Sequence, residues 1–293
     1  MKIIYLKNNE IDYKAYDFCV ENSSQGTIYA MSWYLDIVSP AWELLMADDY
    51  NYVMPIPVKK KYFFKYAMQP LVCQQLGVFS LKKLTFDIFN SFINHIPYMY
   101  CRFYLNSGNV FEEQPKSHLL NNYELNLNFS YDDIKTKYGK NCTRNIKKAE
   151  KENLVLETRT DINDYISVLK DNTLNKRLLE RIERLVAIIK ETEKFGTEIW
   201  NIREESGDVC AIAPLIRWKN RVYDLAPVST QIGKQKYAMF FLIDRYIKAQ
   251  SENDLILDFE GSVIPGVAQF YKGFGAELKL YPYFYKKIFY KKM

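Results

Sequence analysis

The stretch LILDFEGSVIPGVAQFYKGFGA, residues 255–276, is where the reading of this chain turns. Leu255, Ile256 and Leu257 read as a buried strand that delivers Asp258 and Glu260 at its end. A bare carboxylate is costly to bury, so each needs a partner or a task. Two apart, they share one face if the strand extends that far. Pro265 suits the first turn of a short helix carrying Phe270 and Tyr271, and Phe274-Gly275 makes a corner before the strand in AELKLYPYFYKKIFYK. A salt bridge to a basic helix further upstream is the plain expectation for the two acids. A proton relay, or a grip on a substrate ammonium, is the functional one.

Working outward, TEIWNIREE, VCAIAPLIRW and RVYDLAPVS read as a three-stranded meander turning at Ser-Gly-Asp and Lys-Asn. QIGKQKYAMFFLIDRYIKAQ follows as a loop and then a helix. A loop entering a helix presents free N–H groups and a positive dipole end. Gln231, Gly233, Lys234, Lys236, Tyr237 and Ala238 are therefore candidates to cradle a diphosphate, with Gly233 letting the backbone approach it; an ordinary polar turn with solvated lysines is the plain alternative. Upstream, Ser130 and Asp133 make a capping-box-like start to a helical stretch that Gly139 divides. NKRLLERIERLVAIIKETEK carries Leu178, Leu179, Ile182, Leu185, Val186 and Ile189 on one helical stripe, read as core.

The first half repeats this order faintly. IDYKAYDFCVEN and SWYLDIVS read as helices. WELLMA, YVMPIPV and KYAMQ form a second meander, turning at DDYN and KKKYFF. LKKLTFDIFNSFIN reads as a helix with Leu81, Leu84, Ile88 and Phe92 in phase, and MYCRFYLN as a strand. The expected fold class is α/β (α+β): two tandem domains, 1–128 and 129–293, each a mixed, mostly antiparallel sheet flanked by helices. No flexible linker separates them, so the groove between them is the default place for a site.

Composition narrows the chemistry. The five cysteines are scattered and odd in number, without a C-x-x-C pair, which favours a reducing, cytoplasmic setting. No secretory signal and no membrane span is expected. With only His95 and His118, neither a multi-histidine metal site nor a Ser-His-Asp mechanism is expected, and no metal cofactor is assigned. The net charge of +5 is local: residues 134–151 hold seven Lys/Arg against one Glu. Within them Lys140, Arg144, Lys148 and Lys151 recur at helical spacing on one face, suited to phosphates or simply the solvated face of a surface helix, while Asn141 and Asn145 interleave and can address a sugar. Tyr29, Trp33 and Tyr34 are candidates to line an acceptor groove, though such aromatics are more often core. A second basic cluster, KKIFYKK, closes the chain.

The order of meander, loop, helix, strand, short aromatic helix and strand resembles the GNAT superfamily of acyl-CoA N-acyltransferases. Thr143–Lys151, Asp258–Ser262 and Phe270–Gly275 are similar to elements of its FemAB-like branch, in which two such folds share one chain. Gln69–Phe79 resembles a stretch of the first domain in related bacterial proteins. The resemblance implies an N-acyltransferase using acyl-CoA on an amine acceptor, such as a small molecule or a cell-envelope or polysaccharide precursor. It implies aminoacyl-tRNA as the alternative donor, and places Tyr271 where many members protonate the leaving thiolate. The spacing of Gln231, Gly233 and Ala238 departs from the superfamily's Gln/Arg-x-x-Gly-x-Gly/Ala cradle, which leaves open a protein that only binds a phosphorylated ligand.

Overall fold

The computed structural model describes residues 1–114, 118–173, 176–261 and 265–287. The chain forms two compact units: Met1–Leu120 joined by the end of the chain from Leu280, and Asn121–Lys279.

In the first unit, β1 (Ile3–Leu6), β2 (Glu43–Ala47), β3 (Tyr52–Ile56) and β6 (Phe79–Ser80) form one antiparallel sheet in that order. A second set holds β4 (Val58–Lys61), β5 (Phe64–Met68) and β7 (Tyr100–Tyr104), with the end of the long last strand β15 (Glu277–Lys287) against β7. Helices α1 (Tyr13–Asn22), α2 (Ser32–Val38) and α3 (Phe86–His95) complete the unit. Asp12 caps α1 by accepting from the N–H groups of Lys14 and Ala15. Thr85 caps α3, so that helix begins later than its apolar spacing predicts, and Leu81 and Leu84 lie outside it. Tyr29 and Tyr34 are buried core residues.

In the second unit, the sheet runs β9 (Val155–Glu157), β10 (Glu198–Arg203), β11 (Val209–Trp218), β12 (Arg221–Asp224), β14 (Ile256–Asp258) and β8 (Leu119–Asn126), with the short β13 (Val228–Ser229) also on β11. All pairs are antiparallel except β12 with β14, which is parallel. The helices are α4 (Tyr131–Thr136), α5 (Lys140–Ala149), α6 (Ile162–Asn172), α7 (Lys176–Leu179), α8 (Ile182–Thr192), α9 (Gln231–Gln235), α10 (Ala238–Gln250) and α11 (Pro265–Gly273). The expected break at Gly139 separates α4 from α5, and the Ser130 hydroxyl accepts the Asp133 N–H at 3.1 Å as the capping pattern requires.

Other expectations need correction. The apolar stripe at 175–194 is two helices, broken at Glu180-Arg181. Leu185 and Ile189 are fully buried, while Leu178, Leu179, Ile182 and Val186 are half-buried. The third meander strand breaks at Leu225–Pro227, where Ala226 takes a φ of 52°. The stretch read as a loop before α10 is mostly the short helix α9. β14 stops at Asp258, and Glu260 turns away with a φ of 55°, so the two acids do not share a strand face. The end of the KKIFYKK cluster lies outside the described residues. No helix among the described residues is long and apolar enough to cross a membrane.

The core of the second unit is aromatic. Phe259 stacks on Tyr271 at 4.6 Å, Phe240 meets Phe270 edge-to-face at 4.6 Å, and Phe274 closes the cluster. Each fully buried ring of this kind stabilises the fold by about 2–3 kcal/mol. That packing holds α11 against the ends of β14 and α10, the ground on which the site is built.

Candidate functional site

A cavity of about 370 Å³ opens between the α9–α10 corner and α11. Its wall is largely apolar, with Met239, Phe240, Val267, Phe270 and Tyr271 prominent, and Ser229, Lys234 and Tyr237 supply polar atoms. Gly233 and Pro227 also border it. The break between β12 and β13 puts Pro227 and Ser229 at its edge.

The expected diphosphate cradle is only partly open. Gly233 is indispensable for a reason other than the one its sequence suggests. A Cβ there would lie 1.7 Å from the carbonyl oxygen of Cys210, so the glycine lets α9 press onto β11. Its N–H donates to the Thr230 hydroxyl at 3.1 Å, the N-cap of α9. Lys236 pairs with Glu204 and, at 3.4 Å, with Glu152. Gln231 is exposed on α9 and Ala238 is buried at the start of α10, and neither borders the cavity. Lys234 and Tyr237 do.

The basic helix lies next door. Lys140, Thr143, Arg144, Lys147, Lys148 and Lys151 line a groove of about 490 Å³. Cys142, Ile146 and Ala149 face the core and leave the cations outward. Asn145 is buried on the core side, which corrects its expected role toward a sugar. Lys148 joins groove to cavity: its Nζ donates to the Tyr237 hydroxyl at 3.4 Å and sits 5.1 Å from that ring's centre.

Asp258 is answered by Arg221, not by the basic helix. Arg221 sits on β12 and reaches Asp258 at 3.0 Å and Glu124 at 2.8 Å. Asn122 donates to Asp258 at 3.0 Å and the Glu260 N–H at 2.9 Å. Burial pushes the Asp258 carboxyl upward, and Arg221 pulls it back. Asp258 is thereby a structural anchor for the end of the strand.

The residue that the sequence reading missed is Asp224. It ends β12, is fully buried, and neither carboxylate oxygen has a hydrogen-bond partner. Burial alone lifts it from 3.8 to about 7. Tyr271, also buried, is pushed well above 10 by its own burial, and the charges of Asp224, Glu260 and Asp258 add to the rise. Tyr271 thus keeps its proton in the cavity wall, within electrostatic reach of an acid poised near neutrality. The one sequence signal was an aspartate ending an otherwise apolar-aromatic strand, RVYDLAP. Trp33, on α2 of the first unit, is half-buried and edge-to-face with Tyr34 at 5.6 Å.

No protein-family model and no curated protein sequence matches this chain. Solved structures do. The crystal structure of FemX aligns at a TM-score of 0.64 and 10% identity over 96% of each chain. A conserved protein of unknown function from Bacteroides thetaiotaomicron aligns at 0.55 and 9% identity, over 94% of this chain and 98% of the other. A C-terminal domain named for a lysylphosphatidylglycerol synthetase, from Agrobacterium fabrum, aligns at 0.50 and 9% identity, covering 94% and 91%. The chain has a GNAT-like fold of the FemAB type, a mixed α/β architecture of two such domains.

Proposed function

We propose that this protein is an N-acyltransferase whose second unit carries the donor site and moves an acyl group from acyl-CoA to an amine, with a small molecule or a cell-envelope or polysaccharide precursor as acceptor. The observation that carries the reading is the apolar cavity with protonated Tyr271 in its wall, and the buried Asp224, its carboxylate without a hydrogen-bond partner, within electrostatic reach of that tyrosine. An acyl-pantetheine arm suits the apolar wall. Because Gly233 and Lys236 are already engaged, the donor's phosphates are assigned to Lys234 and, across Tyr237, to Lys148, Lys140 and Arg144.

The chemistry needs no covalent enzyme intermediate. The attacking amine gives up its proton toward Asp224 and Glu260, the C–N bond forms as the C–S bond breaks, and Tyr271 donates to the departing thiolate. A buried carboxylate with nothing to pair it is retained against a cost in stability, which suits a base tuned near neutral pH.

A second reading rests on the breadth of the basic groove. Its lysines and arginine suit a nucleic-acid backbone, so aminoacyl-tRNA is the alternative donor, its ester occupying the same cavity. Thiol release from a series of acyl-CoAs with a panel of amines tests the first reading. Aminoacyl transfer from charged tRNA, with no thiol release, would replace it by the second. Tight binding of either donor with no transfer would leave a phospho-ligand-binding protein built on a transferase fold.

A further inference from the structure

The hairpin of β4 and β5 has the sequence VKKKYFFKYAM, residues 58–68. We propose that its tip is a finger that inserts into the interface of an anionic lipid membrane. The finger is independent of the donor site: it belongs to the first unit.

The strands pair from Val58↔Ala67 out to Lys61↔Phe64, leaving Tyr62-Phe63 as the turn. The Lys60↔Lys65 and Lys61↔Phe64 rows lie beyond the last β5–β7 pair on that side, Ala67↔Cys101, so the tip projects as a two-stranded ribbon. Three successive aromatics there are almost wholly exposed: Tyr62 at 80%, Phe63 at 95% and Phe64 at 70%. Two-residue hairpin turns favour Asn and Gly where φ is positive, yet Tyr62 takes a φ of 54°. By contrast, the hairpins of the second unit turn on Ser206-Gly207-Asp208 and Lys219-Asn220.

Charge selects the occupant. Lys59, Lys60, Lys61 and Lys65 flank the aromatics, and no acidic residue occurs between Asp49 and Asp87. Lys65 reaches Glu43 at 3.2 Å, while Lys60 and Lys61 have no acidic partner among the described residues. Lysines on an edge strand such as β4 guard against sheet-to-sheet pairing, which accounts for the lysines alone. Exposed rings at the apex work against that guard. Rings that sink to headgroup depth, ringed by cations that meet anionic headgroups, account for both. A second copy of the chain would bring a like cluster of lysines to the same place.

Sedimentation with vesicles tests the finger, comparing phosphatidylcholine alone with vesicles about one-third phosphatidylglycerol. The intact protein should partition onto the anionic vesicles about tenfold or more over the neutral ones, and less as salt rises. Lys60→Glu with Lys61→Glu should weaken this about tenfold or more, and Tyr62→Ser, Phe63→Ser and Phe64→Ser together should abolish it. These side chains are exposed, so circular dichroism and the melting temperature should be unchanged. A Phe63→Trp variant should show a blue-shifted emission component on anionic vesicles only. Equal partitioning of the intact and triple-serine proteins, or of both vesicle types, would overturn the proposal. So would a concentration-dependent dimer that Phe63→Ser dissolves in the absence of vesicle binding.

Discussion

Asp224 and Asp258 end adjacent parallel strands, and the difference between them lies in the partners each carboxylate meets. In the register, Asp258 lies opposite Tyr223. Asp224 is one residue further along and so points to the opposite face of the sheet. On one face, Arg221, Asn122 and the Glu260 N–H surround the Asp258 carboxylate. On the other, the Asp224 carboxylate meets no partner among the described residues and is pushed up to about 7. A one-residue step converts the same side chain from a charge that the fold has neutralised into one that it has left unpaired. The bridged acid holds the strand end, and the orphaned acid is the one with a proton to exchange near pH 7.

The largest effect should come from removing the proton acceptor. Asp224→Asn keeps the shape and removes the ionisation, so turnover should fall by about 100- to 10,000-fold with donor affinity unchanged. In the parent, turnover should rise with pH through about 7 as Asp224 loses its proton, and the variant should lose that limb. Turnover within a few-fold of the parent would return Asp224 to the structural class. Next in size is the opposite face. Arg221→Ala strands Asp258 and Glu124 without their shared cation, and should cost about 3–5 kcal/mol in denaturant unfolding.

The pH dependence of stability sharpens the contrast. Asp224 is raised in the folded state, so the folded form holds its proton while the unfolded chain has already released it. Its contribution to stability is intact below about pH 4, erodes as pH climbs from there to about 7, and stays lost above. Asp224→Asn should therefore gain on the order of 4 kcal/mol over the parent at pH 8 and little at pH 4. Equal gains at both would mean that the site is wetter than its burial implies.

Much of this fold was written in local signals. The Ser130 cap, the Gly139 break and the outward lysines of α5 follow from side-chain chemistry within a few residues, and they stand in the structure. What local pattern could not contain were the partners supplied by register. Asp258 meets Arg221, far off in sequence, only because β12 and β14 run parallel. Gly233 read as an approach to a ligand because close approach needs a glycine in either case, and only the fold shows that the neighbour is Cys210. Asp224, an isolated acid on a strand, carries no motif. Its meaning lies in the absence of hydrogen-bonding neighbours, a three-dimensional property. The five residues of the short α9 are too few to show a periodicity.

The smallest effect is the most discriminating. Tyr271→Phe removes one hydroxyl and keeps the ring that stacks on Phe259, so the cavity wall and the fold should persist. A lost proton donor should lower kcat by about tenfold and leave KM for the donor alone. The size should depend on the leaving group. A thiolate departs with little help, whereas the sugar alkoxide of an aminoacyl ester needs its proton as the bond breaks. If Tyr271 supplies that proton, the variant should lose more with an ester donor than with a thioester. Equal losses of less than about twofold with both would make Tyr271 part of the wall only, and would leave the proton chemistry to Asp224 and Glu260.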